Sequence, residues 1–182
     1  VKVGRRLLAT KRHDQVSLRE VARRTGFAPS SIYEHFDNRQ DLLEAIAKVA
    51  LLDLGERLVV GCNTGSGLVE HLLNAAGAYV EFATTRPNEF DLVFSRPRPP
   101  DQLHPPAGSP LLPIVAEIMR AVREGECAVP AGLTPLDMAL SVWAQTHGIA
   151  VLRSTYLADT AGFEAKARQL IAAAVGAWIR TP

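Results

Sequence analysis

Only two cysteines occur in the 182 residues, Cys62 and Cys127, and both stand alone without metal-ligand spacing. That pattern argues against a disulfide framework or a zinc module and favours two free, buried thiols in a reducing compartment. Long apolar runs are missing as well. None approaches the roughly 18–20 residues of a membrane span, and the opening VKVGRRLLATKRHD is too basic for a secretory leader. A cytoplasmic protein with no membrane partner is expected. Catalytic constellations are also lacking: His13, His35, His71, His104 and His147 are dispersed, no Ser-His-Asp arrangement is visible, and GCNTGSG (61–67) lacks the Lys-Ser/Thr of a phosphate-binding loop. An enzyme or small-molecule carrier is therefore a remote alternative, and no cofactor or metal is expected. With neither strand alternation nor internal repeats, the fold class is all-α.

The formal charge of +1 conceals an asymmetry. Residues 1–50 carry ten Lys and Arg against six acids, a net of +4, whereas residues 51–182 carry ten and thirteen, a net of −3. A basic head on a mildly acidic body suits a polyanion-binding module joined to something else.

Nearly every periodic segment reads as helix. Val3, Leu7 and Leu8 mark one face of a first helix that fades at His13-Asp14, and the chain starts without Met and part-way along this helix, so a basic arm upstream is expected to be missing. Ser17 opens a second helix, Leu18 to Arg24, through the capping box S-L-R-E, and Gly26 stops it in a left-handed C-cap. Pro29 and Ser30 open a third, which Asp37-Asn38 break. A long fourth helix runs from Arg39 to about Val60 and joins head to body as a natural lever. Further helices are predicted at 68–85, 88–94, 111–126, 134–157 and 161–180. The stretch SRPRPPDQLHPPAGSP (95–110) is too rich in Pro for regular structure and reads as an extended surface loop.

A short helix, a Gly-containing turn and a second short helix packed on a third make a helix-turn-helix. Leu18, Val21 and Ala22 should close on Ile32 and Phe36, with Phe27 and Leu42 completing the core. The opposite face of the third helix carries Ser30 and Glu34, flanked by Ser31 and Tyr33; small and polar residues there let a helix enter a major groove about 12 Å wide. Ser17, Arg19, Tyr33, His35 and Arg39 are donors suited to phosphate oxygens, while Ser30, Ser31 and Glu34 face base edges. The plain alternative is that Tyr33 and His35 are half-buried surface residues of a small bundle.

Residues 17–46, SLREVARRTGFAPSSIYEHFDNRQDLLEAI, resemble the DNA-binding segment of the TetR family of bacterial transcriptional regulators, densely across about thirty positions. The resemblance implies that Ser30 and Ser31 approach bases, that Tyr33, His35 and Arg39 hold phosphates, and that Ile32 and Phe36 are core. It divides the chain into a three-helix DNA-binding domain, 1–46, and a helical regulatory and dimerisation domain, 47–182. Glu34 falls on a variable position of the family pattern.

The predicted helix at 134–157 has apolar residues around its circumference and should be buried on two sides, as should the last helix. In the TetR family the last two helices dimerise, so a homodimer through about 134–157 and 161–180 is implied, with double-stranded DNA bound as a palindromic operator. W-A-Q-T-H-G (143–148), together with YVEFATTRPNEFDLVF (79–94), resembles the subgroup named for a Trp-His-Gly signature. His147 would then be a polar anchor in an apolar pocket of Tyr79, Phe82, Phe90, Phe94, Met119 and Trp143, with Gly148 permitting close helix contact; alternatively His147 is a core histidine and the aromatics are simply core. The leading expectation is a homodimeric repressor released by a small, largely apolar effector. The alternative is a DNA-binding dimer that answers a protein partner or no ligand.

Overall fold

The computed structural model describes residues 1–95 and 109–179. Among them the chain is helical throughout, with one isolated bridge between Cys127 and Ile179, as the all-α reading requires. The helices are α1 Lys2–Leu8, α2 Leu18–Thr25, α3 Pro29–Tyr33, α4 Arg39–Cys62, α5 Gly67–Thr85, α6 Pro87–Phe94, α7 Leu111–Arg123, α8 Pro135–Ser154 and α9 Phe163–Gly176, with a 3-10 turn at His13–Gln15. The Pro-rich stretch, apart from Ser95, Ser109 and Pro110, lies outside the described residues, as does Arg180, the predicted end of the last helix.

Two compact units form. The first comprises residues 1–52 with the described part of 86–103, the second 53–85 with the described part of 104–182. The head was read as ending at residue 46; the compact unit adds residues 47–52 and α6. Leu92 of α6 is fully buried in one core with Leu7, Leu8, Val21, Ile32 and Leu42. Polar ties reinforce this seat, since Arg5 Nε donates to Glu89 Oε2 at 2.8 Å and Asn88 Nδ2 donates to the Leu8 carbonyl at 2.8 Å.

Local chemistry explains the boundaries. Ser17 Oγ accepts from the Glu20 backbone N–H at 3.2 Å, satisfying one of the open donors of α2. Only this half of the capping box is used: the Glu20 carboxylate meets Lys11 Nζ at 2.9 Å and Arg24 Nη2 at 3.3 Å instead. Gly26, at φ 73°, ends α2 in the left-handed region. The third helix is shorter than expected and stops at Tyr33, although Phe36 N still donates to the Ile32 carbonyl at 3.0 Å.

Phe27 corrects the predicted core. It is 60% exposed, whereas Ile32 is 5% exposed. With α3 only five residues long, Ile32 and the half-buried Phe36 cover the α2 stripe from beyond the turn. Leaving a Phe ring outside forgoes up to about 1.5–3 kcal/mol of burial.

In the second unit α5 packs on α7, α8 and α9, around Leu68, Leu72, Ile118, Met138, Val142 and Ile171. Thr134 and Asp137 form a reciprocal capping box at the start of α8, with Thr134 N donating to Asp137 Oδ2 at 2.8 Å. Both cysteines are free and buried, as expected. Burial, helped by the Glu117 carboxylate, pushes the Cys62 thiol up to about 12, which suits an inert packing residue.

Close helix contact was expected at Gly148, but a Cβ there would meet nothing within 4 Å in the chain. The close approach is at Gly61 near the end of α4, where a Cβ would lie 2.6 Å from the Ala75 backbone of α5. Backbone cannot yield as a flexible side chain does. Gly61→Ala should therefore lower stability in urea by about 1–3 kcal/mol, whereas Gly77→Ala, with open space around it, should be neutral or stabilising by up to about 1 kcal/mol.

Candidate DNA-binding face and effector core

The exposed face of the first unit is built from both helices of the turn motif. Ser17 and Arg19 at the start of α2 are exposed, as are Ser30, Tyr33, Glu34 and His35, while Ser31 is half-buried. Ile32 is the anchor between them: its burial against the α2 stripe fixes the rotation of α3 and turns Ser30 and Glu34 outward. Tyr33 keeps 49% of its surface exposed.

Arg39 is placed differently from the other donors. Its Nε donates to the Val16 carbonyl at 2.7 Å and its Nη2 to the His13 carbonyl at 2.5 Å. The guanidinium therefore straps the 3-10 turn that precedes α2, holding Ser17 at the helix entrance. This role was invisible in the sequence because its partners are backbone atoms 23 and 26 residues away.

The aromatic residues assigned to an effector pocket come from both units. Phe90 and Phe94 belong to the first unit, where their ring centroids are 4.8 Å apart. Met119 is 46% exposed on α7. Tyr79, Phe82, Trp143 and His147 belong to the second unit, and Tyr79 and Phe82 are almost wholly buried. Tyr79 Oη lies 2.7 Å from His147 Nδ1 and accepts from Trp143 Nε1 at 3.3 Å. Where the neutral phenol donates its single proton to a bare Nδ1, the imidazole proton is on Nε2.

Burial holds His147 below the ordinary histidine value and pushes the Tyr79 phenol up, so both groups remain neutral near pH 7. A depressed folded value means that the unfolded chain binds more protons. The contribution of His147 is complete above the unfolded value of 6.5 and is lost as pH falls through the folded value. His147→Asn, whose Oδ1 accepts where Nδ1 did, should remove this acid-side loss, seen as a flatter pH profile of urea midpoints below about pH 6.5. The cavity beside Tyr79, Trp143 and Thr146 measures only about 10 Å³, room for about one water.

A larger cleft of about 330 Å³ opens elsewhere, lined by residues of α5, α8 and α9 that include Leu73, Val80, Ile149, Phe163 and Ile171, with Arg153 and Arg168 among its polar members. No sequence motif marked it, because it is made by helices far apart in the chain. A polar network also escaped notice. Glu117 accepts from Arg120 and lies 2.7 Å from His71 Nδ1, while Glu126 accepts from the Leu68 N–H at 3.0 Å, so α7 and the segment after it close the N-terminus of α5. Arg120 holds the Glu126 carboxyl below the usual range. Among the described residues no cluster of His, Cys, Asp or Glu suits a metal ion, and no helix is long and apolar enough to cross a membrane.

Similarity to known proteins agrees with this architecture. Residues 1–46 match the model for bacterial regulatory proteins of the tetR family, and residues 72–178 match that for the tetracyclin repressor-like C-terminal domain. No curated protein sequence matches. Among solved structures, a protein of unknown function from Rhodococcus sp. RHA1 is 24% identical with a TM-score of 0.78, over 97% of this chain and 95% of that one. TetR-Q116A from Acinetobacter baumannii AYE in complex with minocycline is 14% identical, with a TM-score of 0.65 over 97% and 92%. The ketosteroid transcriptional regulator KstR2 of Mycobacterium tuberculosis is 13% identical, with a TM-score of 0.59 over 99% and 93%. The turn motif with its exposed polar face, the helical second unit and the two family matches, which together cover most of the chain, make this protein a member of the TetR family of DNA-binding transcriptional regulators.

Proposed function

We propose that this regulator is a homodimeric repressor that binds a near-palindromic operator and is released by a small, largely apolar ligand. The observation that carries the DNA reading is the division of α3 around buried Ile32, with Ser30, Tyr33, Glu34 and His35 outside. Ser17, Arg19, Tyr33 and His35 grip phosphates; Ser30, Ser31 and Glu34 face base edges. Arg39 serves the interface by holding the turn beneath Ser17.

The dimer reading rests on α8. Leu136, Leu140, Ala144, Gly148 and Leu152 recur every four residues, and all are exposed in the single chain. Such a row is a packing ridge, and its small central residues let a second helix cross closely. Leu170, Ala173 and Ala177 extend the apolar surface along α9 and just past its end. Expected burial of α8 on two sides is thus half supplied by its own chain, and a second copy supplies the rest. The two-fold axis spaces the recognition helices about 34 Å apart.

For the effector, the cleft of about 330 Å³ is within the range of small-molecule sites. The relatives support a small-molecule effector, one being solved with minocycline and another being named for ketosteroids. Trp143, His147 and Gly148 carry the resemblance to the Trp-His-Gly subgroup, with His147 and Trp143 of α8 tied to Tyr79 of α5. Release by about 100-fold requires about 2.7 kcal/mol of differential affinity between the two states. The closed core around His147 favours the second reading, a DNA-binding dimer that answers a protein partner or none. A mobility-shift assay at low salt with the DNA beside its own gene should give a retarded band that resists non-specific competitor; no such band would sink the proposal. Native mass spectrometry of the purified protein separates the two readings, a bound small molecule supporting the first.

A further inference from the structure

Phe27 stands between Gly26, which ends α2, and Ala28, the residue that precedes α3. It is 60% exposed, and Gly26, Ala28 and Ser30 around it are exposed as well. The ring is open to solvent in the single chain, so it is available to a surface that offers carbon. The N-terminal end of a recognition helix is the end that reaches base edges, and the floor of the major groove offers one apolar group, the thymine C5-methyl. We infer that Phe27 is a specificity-determining residue that packs on a thymine methyl in each half-site. The inference rests on the DNA-binding reading and adds an apolar contact to a base-facing set otherwise composed of two serine hydroxyls and one carboxylate. Those polar groups are tolerant readers, since a serine hydroxyl pairs with several bases. The ring therefore supplies discrimination that the polar face lacks.

The test starts from operators selected out of random DNA with the full chain. A thymine should be enriched at one position of each half-site. Replacing that thymine by deoxyuridine removes only the methyl, and should weaken the unaltered protein by about four-fold per half-site, the worth of one methyl buried against carbon. Phe27→Ala should bind thymine and uracil operators alike while keeping its affinity for non-specific DNA, and Phe27→Leu should retain part of the preference. The inference is overturned if uracil is tolerated by the unaltered protein at every position, or if Phe27→Ala keeps the full methyl preference. Recovery of no sequence, with no binding to non-specific DNA, would instead overturn the DNA-binding reading and take the inference with it.

Discussion

Leu140→Glu yields a monomer whose operator affinity is lower by more than about 100-fold, while its helical content is unchanged. Leu140 is 47% exposed in the single chain, so a carboxylate there is solvated and costs the isolated protomer little. Across the proposed two-fold helix crossing it would meet an apolar ridge, where an unpaired charge is strongly unfavourable. The monomer then keeps one recognition helix and loses the second half-site. Sedimentation velocity reads the association state and a mobility shift reads the affinity. Leu112→Glu is the control, because Leu112 is 46% exposed on α7 and outside the α8 ridge. A Leu140→Glu protein that remains dimeric would place the interface elsewhere.

Arg39→Ala destabilises the first unit by about 2–4 kcal/mol, the expected worth of two hydrogen bonds donated by one cation to backbone carbonyls. Arg39→Lys should recover little of this loss, since an ammonium lacks the planar fork that spans His13 and Val16. The slope of log affinity against log salt distinguishes this role from a phosphate contact. For folded Arg39→Lys, and for Arg39→Ala measured well below its melting temperature, the slope stays that of the unaltered chain. A slope shallower by about one in Arg39→Ala, restored by Lys, would return Arg39 to the phosphate-contacting set.

The features legible in the sequence were those whose causes lie within one turn of helix. Ser17 announces a helix start because a cap needs a hydroxyl next to a free N–H, and Gly26 announces an end because few other residues tolerate its backbone. The burial of Ile32 and Leu42 followed from helical phase. The strap made by Arg39 and the exposure of Phe27 were not legible. Each depends on which distant segment fills a space first, and periodicity carries no such information. The same holds for the α8 ridge: its apolar character was evident, but only packing showed which residues remain uncovered.

The placement of α6 limits how the molecule can be cut. Residues 1–46 look like a cassette in the sequence, yet Leu92 and the Glu89 partner of Arg5 come from a segment more than forty residues further on. Expressed alone, the cassette would present Leu7 and Leu8 to water where Leu92 covers them, and Arg5 would lose its carboxylate. A chimera that transplants this head onto another regulator's body must therefore bring α6 with it, or supply a host helix with the same apolar and acidic positions. The chain leaves the head, returns to it with α6 and leaves it again, so domain exchange in such a protein is a three-junction problem.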